Sequence, residues 1–260
     1  MNHEVDVFES YLTSYPNSPE FVLIRSVEAK NFPVNHFSSP ILDLCCGDGF
    51  FATRLGLENA YGCDVSAEVI QEAKKRPCYQ EAEICDARDL SLYSNNFFGS
   101  VISNCALEHV DDIQKAIISI HRVLKADGKL IMTVPSENLI AWFPKKDKLE
   151  IYNQNQHHVN ILGADDWTDL LEAASFTITE RYYLFSKTQY KFAIFLDAVG
   201  LVLPRGFRRM WRVFIQRSPN SIKRFLFRLL LKPIYKASKS LPEGGELVIV
   251  AVKKWNDPVL

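Results

Sequence analysis

The sequence predicts an α/β fold built on a mostly parallel, doubly wound sheet of seven strands with helices on both faces. Three observations predict it. Short apolar runs alternate with helical-period segments from residue 41 to 135; the runs end in acids or glycine turns; and 260 residues, 47% of them apolar, suffice for one sizeable core without disulfides.

Before residue 40 the pattern is helix and loop, punctuated by Pro16, Pro19, Pro33 and Pro40. "ILDLCC" (41–46) then reads as a strand running into the turn Gly47-Asp48-Gly49, and "FFATRLGL" as a helix. "AYGCDV" is a second strand, "AEVIQEAKK" a helix, "AEICDA" a third strand and "FFGSVISNCA" a fourth. "DIQKAIISIHRVLK" has helical period, and "GKLIMTVPS" is the fifth strand. Later come the helix "WTDLLEAASF", the strand "TITERYYLF" and a last strand, "GELVIVAVKKW". The expected organisation is a helical N-terminal cap (1–40), a core (41–186), a basic helical insertion (187–243), and the last core strand with the C-terminus (244–260).

Composition narrows the function classes. Cys45, Cys46, Cys63, Cys78, Cys85 and Cys105 sit largely in apolar runs, so they read as reduced, small core residues. No CxxC pair or histidine cluster at ligand spacing accompanies them, and no metal is expected. The acidic start "MNHEVDVFES" lacks an apolar signal core, and no run is long and apolar enough to span a bilayer, so a cytoplasmic location is expected.

In open α/β sheets the ligand lies beyond the carboxyl ends of the strands. Gly47 and Gly49 mark the first such end, where a missing Cβ lets the backbone approach a ligand and turn tightly. Taken alone, Gly-Asp-Gly-Phe-Phe-Ala also satisfies the GxGxxA dinucleotide form, so a nicotinamide-dependent oxidoreductase stays open. Asp64 ends the second strand, where a carboxylate can accept from both hydroxyls of a ribose, with Val65 beside it. Asp86, followed by Ala87, ends the third. With Asp43, these acids line the rim with negative charge, which suits a cationic nucleoside better than a pyrophosphate.

The blocks "ILDLCCGDG", "YGCDVS", "CDARDL", "SNCALEHV", "HRVLKADGKLIMTVPS" and "HHVNILGADDWTDLLEAASF" together resemble the class I S-adenosylmethionine-dependent methyltransferases, in particular the family with the signature "LDLGCGxG". The resemblance implies a Rossmann-like core and S-adenosyl-L-methionine as cofactor. It further implies that Asp43 orients the turn, that Gly47 and Gly49 pack on the methionine part, and that Asp64 takes the ribose hydroxyls. Asp86 and Ala87 would edge the adenine, and the Asn104 backbone would approach the methionine amino group. The family usually has glycine where this chain has Cys45; if the position requires positive φ, Cys45 carries strain on the order of 1 kcal/mol. A chain that keeps the fold but has lost cofactor affinity there, and so acts as a scaffold, also stays open.

Methyl transfer to oxygen needs a proton acceptor. His109, in "LEHV", and His158, in "HHVN", are the candidates, with His158 preferred; a carbon or carboxylate acceptor would need neither. Arg25, one helical turn from Glu28, could meet the cofactor's carboxylate or simply pair with Glu28.

Net charge is −1, yet residues 187–240 hold thirteen Lys or Arg and one acid, Asp197, so this segment carries +12 and the rest −13. Within it, Phe207, Met210, Trp211, Phe214 and Ile215 fall at helical spacing, as do Ile222, Phe225, Leu226, Leu229 and Leu230, both sets ringed by Lys and Arg. Two such helices fit an anionic membrane surface and a lipid or lipid-linked acceptor, such as a glycolipid, polyprenyl-linked sugar, quinone or terpenoid. A lid over a pocket for a soluble acceptor explains the spacing equally well but not the scarcity of acids. Nucleic acid is not expected, because the interleaved residues are largely aliphatic.

Overall fold

The computed structural model describes residues 6–254; the first five residues of the acidic start and Trp255, at the end of the last expected strand, lie outside them. The strands are β1 (Ile41–Leu44), β2 (Ala60–Asp64), β3 (Tyr79–Ile84), β4 (Phe98–Asn104), β5 (Leu124–Pro135), β6 (Phe176–Leu184) and β7 (Glu246–Lys253). They form one sheet in the order β3-β2-β1-β4-β5-β7-β6. β1, β2, β3, β4 and β5 pair in parallel, whereas β7 runs antiparallel to β5. The fold is the mixed α/β, Rossmann-like one expected from the alternation of elements.

Helices run in chain order over α1 (Val7–Ser14), α2 (Pro19–Asn31), α3 (Phe50–Arg54), α4 (Ala67–Ala73), α5 (Ile113–Val123), α6 (Asn138–Trp142), α7 (Leu149–Gln156), α8 (Ala164–Ala173), α9 (Lys187–Asp197), α10 (Val199–Val202), α11 (Arg205–Arg217) and α12 (Asn220–Ala237). The chain divides into two compact units. One holds the described part of Met1–Asn31 with Asn138–Gln156 and Leu184–Gly245; the other holds Phe32–Glu137, His157–Tyr183 and the described part of Glu246–Leu260.

In the sheet unit the central strands β1 and β4 are buried along almost their whole length, as coverage of both faces of a parallel sheet requires, although Asp43, Ser100 and Ser103 are among the buried residues. Leu42, Leu44, Val101, Leu130 and Met132 meet Ile117, Ile120 and Val123 of α5 and Trp167 and Leu171 of α8 in one core. The chain leaves β1 outward through β2 and β3, then returns to β4 on the other side. This reversal is the switch point, where the carboxyl ends of β1 and β4 part.

The helical unit draws 138–156 together with the N-terminal and basic segments. Asp197, the one acid of the basic segment, accepts from the Tyr152 hydroxyl at 2.5 Å and the Gln156 amide at 3.0 Å, which joins α9 to α7. Burial raises its pKa. Across α1 and α12, Glu9 accepts from Arg228 at 2.8 Å and Lys232 at 2.7 Å, while Lys232 also donates to Asp6 at 2.9 Å. Three cations of the segment are therefore absorbed by packing, since Lys223 is buried and donates to Asn17 and the Ile215 carbonyl.

Candidate active site

β1 ends at Leu44, and the next residues fold back through a tight loop. Cys46 N–H donates to the Cys63 carbonyl at 3.0 Å, and Gly49 N–H to the Cys46 carbonyl at 3.1 Å. Cys45, Gly47 and Gly49 all have positive φ, at 57°, 55° and 73°. Cys45 thus occupies a region that a side chain enters at a cost of about 1 kcal/mol. Burial, followed by the Asp64 charge, raises its thiol well above the ordinary range, so it stays protonated.

The two glycines of the turn serve different ends. A Cβ on Gly49 would stand 2.5 Å from the Tyr79 ring, whereas one on Gly47 would meet nothing within 4 Å. Gly49 is required by packing, and Gly47 faces open space. The loop is clamped from below: Asp48 accepts from the Phe50 N–H at 3.0 Å and from Arg76 Nη2 at 2.8 Å, and Arg76 Nε donates to the Asp48 carbonyl at 3.0 Å.

Asp64, at the carboxyl end of β2, is tied to this loop. Its Oδ2 accepts from Gly47 N–H at 3.1 Å and its Oδ1 from Ser66 N–H at 3.0 Å. A carboxylate has about four lone-pair sites, so one remains on each oxygen, the arrangement a vicinal diol needs. Val65 beside it is 67% exposed, which leaves an apolar surface next to that carboxylate. An open glycine, a half-satisfied carboxylate and an exposed apolar side chain in one place fit the polar and flat parts of a nucleoside cofactor.

The electrostatics differ from the three-acid rim read from the sequence. Burial pushes the Asp43 carboxyl up to about 7, against the pull of the Tyr79 hydroxyl, which donates to Oδ2 at 2.5 Å, while the Asp64 charge adds to the rise. Asp86 is held low by Arg88, whose guanidinium contacts both carboxylate oxygens at 2.7–3.1 Å. The Asp86 charge is thereby offset by the Arg88 guanidinium. Ala87 is buried, and Asn104 at the end of β4 accepts from the Thr133 hydroxyl at 2.8 Å.

Beyond β4 a short 3₁₀ turn, Leu107–His109, is stitched to the segment starting at His157. Val159 and Asn160 N–H donate to the Glu108 carbonyl at 2.8 and 2.9 Å, and the Asn160 amide donates to the carbonyls of Leu107 and Val110 at 3.0 and 2.7 Å. His109 and His158 are brought together, with ring centroids 5.2 Å apart and nearly parallel. Burial, then the neighbouring His109, lowers the His158 pKa to about 4, so this ring is neutral at physiological pH. Arg25 pairs with Glu28 at 2.7 Å within the helical unit.

Tyr79, Arg76, Arg88 and Asn160 hold these groups in place, and sequence reasoning does not find them. Each acts on a partner fixed by strand pairing or loop closure. Arg88 alone gives a local sign, since it lies two residues from Asp86 in a turn.

Residues 42–132 match the family model described as "Methyltransferase domain". The chain is 32% identical over 112 residues to the ubiquinone/menaquinone biosynthesis C-methyltransferase UbiE of Desulfotalea psychrophila, which covers 40% of this chain and 45% of that protein. It is 35% identical over 98 residues to the 2-phytyl-1,4-naphtoquinone methyltransferase of Trichormus variabilis, covering 34% and 43%. These matches span less than half the length of either relative. Among solved structures, a methyltransferase of Thermotoga maritima, described as a possible histamine N-methyltransferase, superposes with a TM-score of 0.58 at 18% identity, covering 97% of this chain and all of that one.

Proposed function

We propose that this chain, whose residues 42–132 are a methyltransferase domain on the class I S-adenosylmethionine-dependent fold, methylates a lipid-like acceptor, with a prenylated quinol as the leading class. The observation that carries the cofactor reading is Asp64, whose Oδ2 accepts from the Gly47 N–H and Oδ1 from the Ser66 N–H, leaving one lone-pair site on each oxygen. S-adenosylmethionine is the methyl donor of that domain family, and when bound it supplies an electrophilic methyl group on a sulfonium.

In this reading Asp64 accepts the ribose hydroxyls, Val65 lies against the adenine, and the backbone at Cys45, Gly47 and Asn104 borders the methionine part. Asp86 and Ala87 edge the base, with Arg88 holding the carboxylate. Gly49 and Asp43 act from behind, through Tyr79. His109 and His158 stand at the acceptor side as the groups that hold the acceptor's oxygen and relay its proton. Positioning supplies much of the rate in a displacement of this kind.

The acceptor class is supported by the quinone methyltransferases among the relatives and, independently, by the helical unit. Phe207, Met210, Phe225, Leu229 and Leu230 on α11 and α12 are exposed, and Arg205, Arg209, Arg212 and Arg217 are exposed on α11. An apolar surface edged by cations suits a bilayer with anionic headgroups. Among the described residues no helix is long and apolar enough to cross a membrane, so the proposed association is peripheral.

The test is incubation with methyl-labelled S-adenosylmethionine and two acceptors, a demethylated prenyl-naphthoquinol in anionic vesicles and its water-soluble analogue lacking the prenyl chain. Label in the prenylated product, well above that in the analogue, is expected. Label in the analogue alone would move the acceptor to a soluble small molecule.

A further inference from the structure

We propose that Glu108, His109 and His158 form a binding site for a divalent transition-metal ion, zinc foremost, at the acceptor side of the sheet unit. One ligand atom from each lies within 4.8 Å of the other two. Spacing along the chain gives no hint of this, because Glu108-His109 and His158 meet only when the 3₁₀ turn and the segment after His157 are stitched together.

The contacts of His109 favour a ligand role. Its Nδ1 lies 3.2 Å from the His157 carbonyl oxygen, which can only accept, so Nδ1 carries a proton. In the neutral ring Nε2 then bears the lone pair, and Nε2 faces Glu108 Oε1 at 3.6 Å, beyond hydrogen-bond reach. A buried carboxylate facing that nitrogen calls for positive charge beside it, which a proton on Nε2 or a bound cation supplies. Ligand atoms on a tetrahedral ion bound at about 2.1 Å stand roughly 3.4 Å apart, close to that separation. His158 completes the triangle after a side-chain movement on the order of 1 Å.

The surroundings favour it too. A ligating histidine characteristically donates its other ring N–H to a carbonyl or carboxylate, as His109 does. The Glu108 side chain is 2% exposed, and a cation beside it would offset the cost of burying its charge. The backbone under all three residues is fixed by the Val159 and Asn160 bonds, so the site is held by structure rather than by chance rotamers. Two nitrogens and one carboxylate oxygen suit zinc, cobalt or manganese better than magnesium or calcium, and leave a position open.

The assignment of that open position rests on the methyl-transfer reading. There the ion takes an oxygen donor of the acceptor, such as a quinol hydroxyl, whose acidity it raises. The ion then does the work otherwise given to a histidine base.

The experiment uses the full-length protein, stripped with chelator and titrated with Co²⁺ while visible absorption and bound metal are read. One Co²⁺ per chain is expected, with absorption bands in the visible. His158→Ala and Glu108→Gln, each with a parental circular dichroism spectrum, should bind at least about 100-fold more weakly, since loss of an outer-shell partner alone costs 10–100-fold. His109→Phe provides a third variant should Glu108→Gln fail to fold. Absence of stoichiometric binding by the parent, or parental binding by folded variants, overturns the site. S-adenosylmethionine binding is measured on the same samples: its failure with Co²⁺ binding intact refutes the methyl-transfer reading and leaves the metal site standing.

Discussion

Tyr79 begins β3, yet its hydroxyl reaches Asp43 two strands away, because Gly62 on the strand between has no side chain in the way. A Cβ there would stand 3.2 Å from the ring. The same ring excludes a side chain at Gly49, so one tyrosine accounts for two glycines. It also leaves a titrating group in the core. The Asp43 carboxyl, pushed up to about 7 by burial, keeps its proton in the folded chain between about pH 4 and 7, where the unfolded chain has lost it. The folded state then binds more protons, and stability falls as pH rises through that window. Asp43→Asn, which can still accept from Tyr79, should flatten the fall, so urea unfolding at pH 4.5 and 8 should show the variant gaining on the parent at the higher pH. Equal slopes would mean that Asp43 is ionised throughout. Asp64 was legible in the sequence as an acid at a strand end next to a glycine turn. The Tyr79–Asp43 bond was not, because it depends on strand order.

Elements were legible where one periodicity dominates, as in β4, α5 and β7. Boundaries moved where two signals compete: the helical period runs through Lys125 and the strand is expected from Gly128, but α5 ends at Val123 and β5 starts at Leu124, which pairs with Phe98. In α11 and α12 the apolar positions were legible, but which of them pack inward was not. Trp211 and Phe214 lie against buried Phe227 with ring centroids 6.3 and 6.2 Å away, so these aromatics are half-buried between the two helices. Packing of α12 on α1 adds an acid-sensitive contact. Hydrogen bonding by Arg228, opposed by burial and assisted by Lys232, holds the Glu9 carboxyl down at about 2. Its contribution is complete above about pH 4.5 and is lost as pH falls toward 2. Glu9→Gln should lower the melting temperature at pH 6, by an amount matching about 0.5–1 kcal/mol for partly exposed pairs, and match the parent near pH 2. A gap that persists at pH 2 would mean that the loss comes from packing instead.

At the scale of the molecule, a net charge of −1 conceals a segment of +12, and the helical unit shows how that charge is used. Arg228, Lys232 and Lys223 are spent on internal contacts, Asp197 is withdrawn from the surface, and the exposed arginines lie on the same helix as exposed Phe207 and Met210. Two components of membrane binding should follow. Arg205, Arg209 and Arg212 changed to Gln should remove the salt-sensitive part, which shrinks as the Debye length falls to about 8 Å at physiological ionic strength. Phe207, Met210, Phe225 and Leu229 changed to Ser should remove the salt-resistant part while the melting temperature stays near the parent's, because these side chains are already exposed. Co-sedimentation with anionic vesicles at low and high salt reads both. A parent that stays in the supernatant would end the membrane reading. The concentration of positive charge in residues 187–240 and the helical period of α11 and α12 were legible in the sequence. The recruitment of 138–156 to the helical unit was not, since its fixing contact is the Tyr152–Asp197 bond between distant positions.

The proposed cofactor site centres on the Asp64–Gly47 corner, and calorimetry with S-adenosylmethionine tests it most directly. The parent should bind one equivalent per chain, and Asp64→Ala should bind more weakly by about 1–3 kcal/mol, the scale of losing hydrogen bonds to a charged acceptor. A parent that shows no binding, or an Asp64→Ala variant that binds as well as the parent, would contradict it.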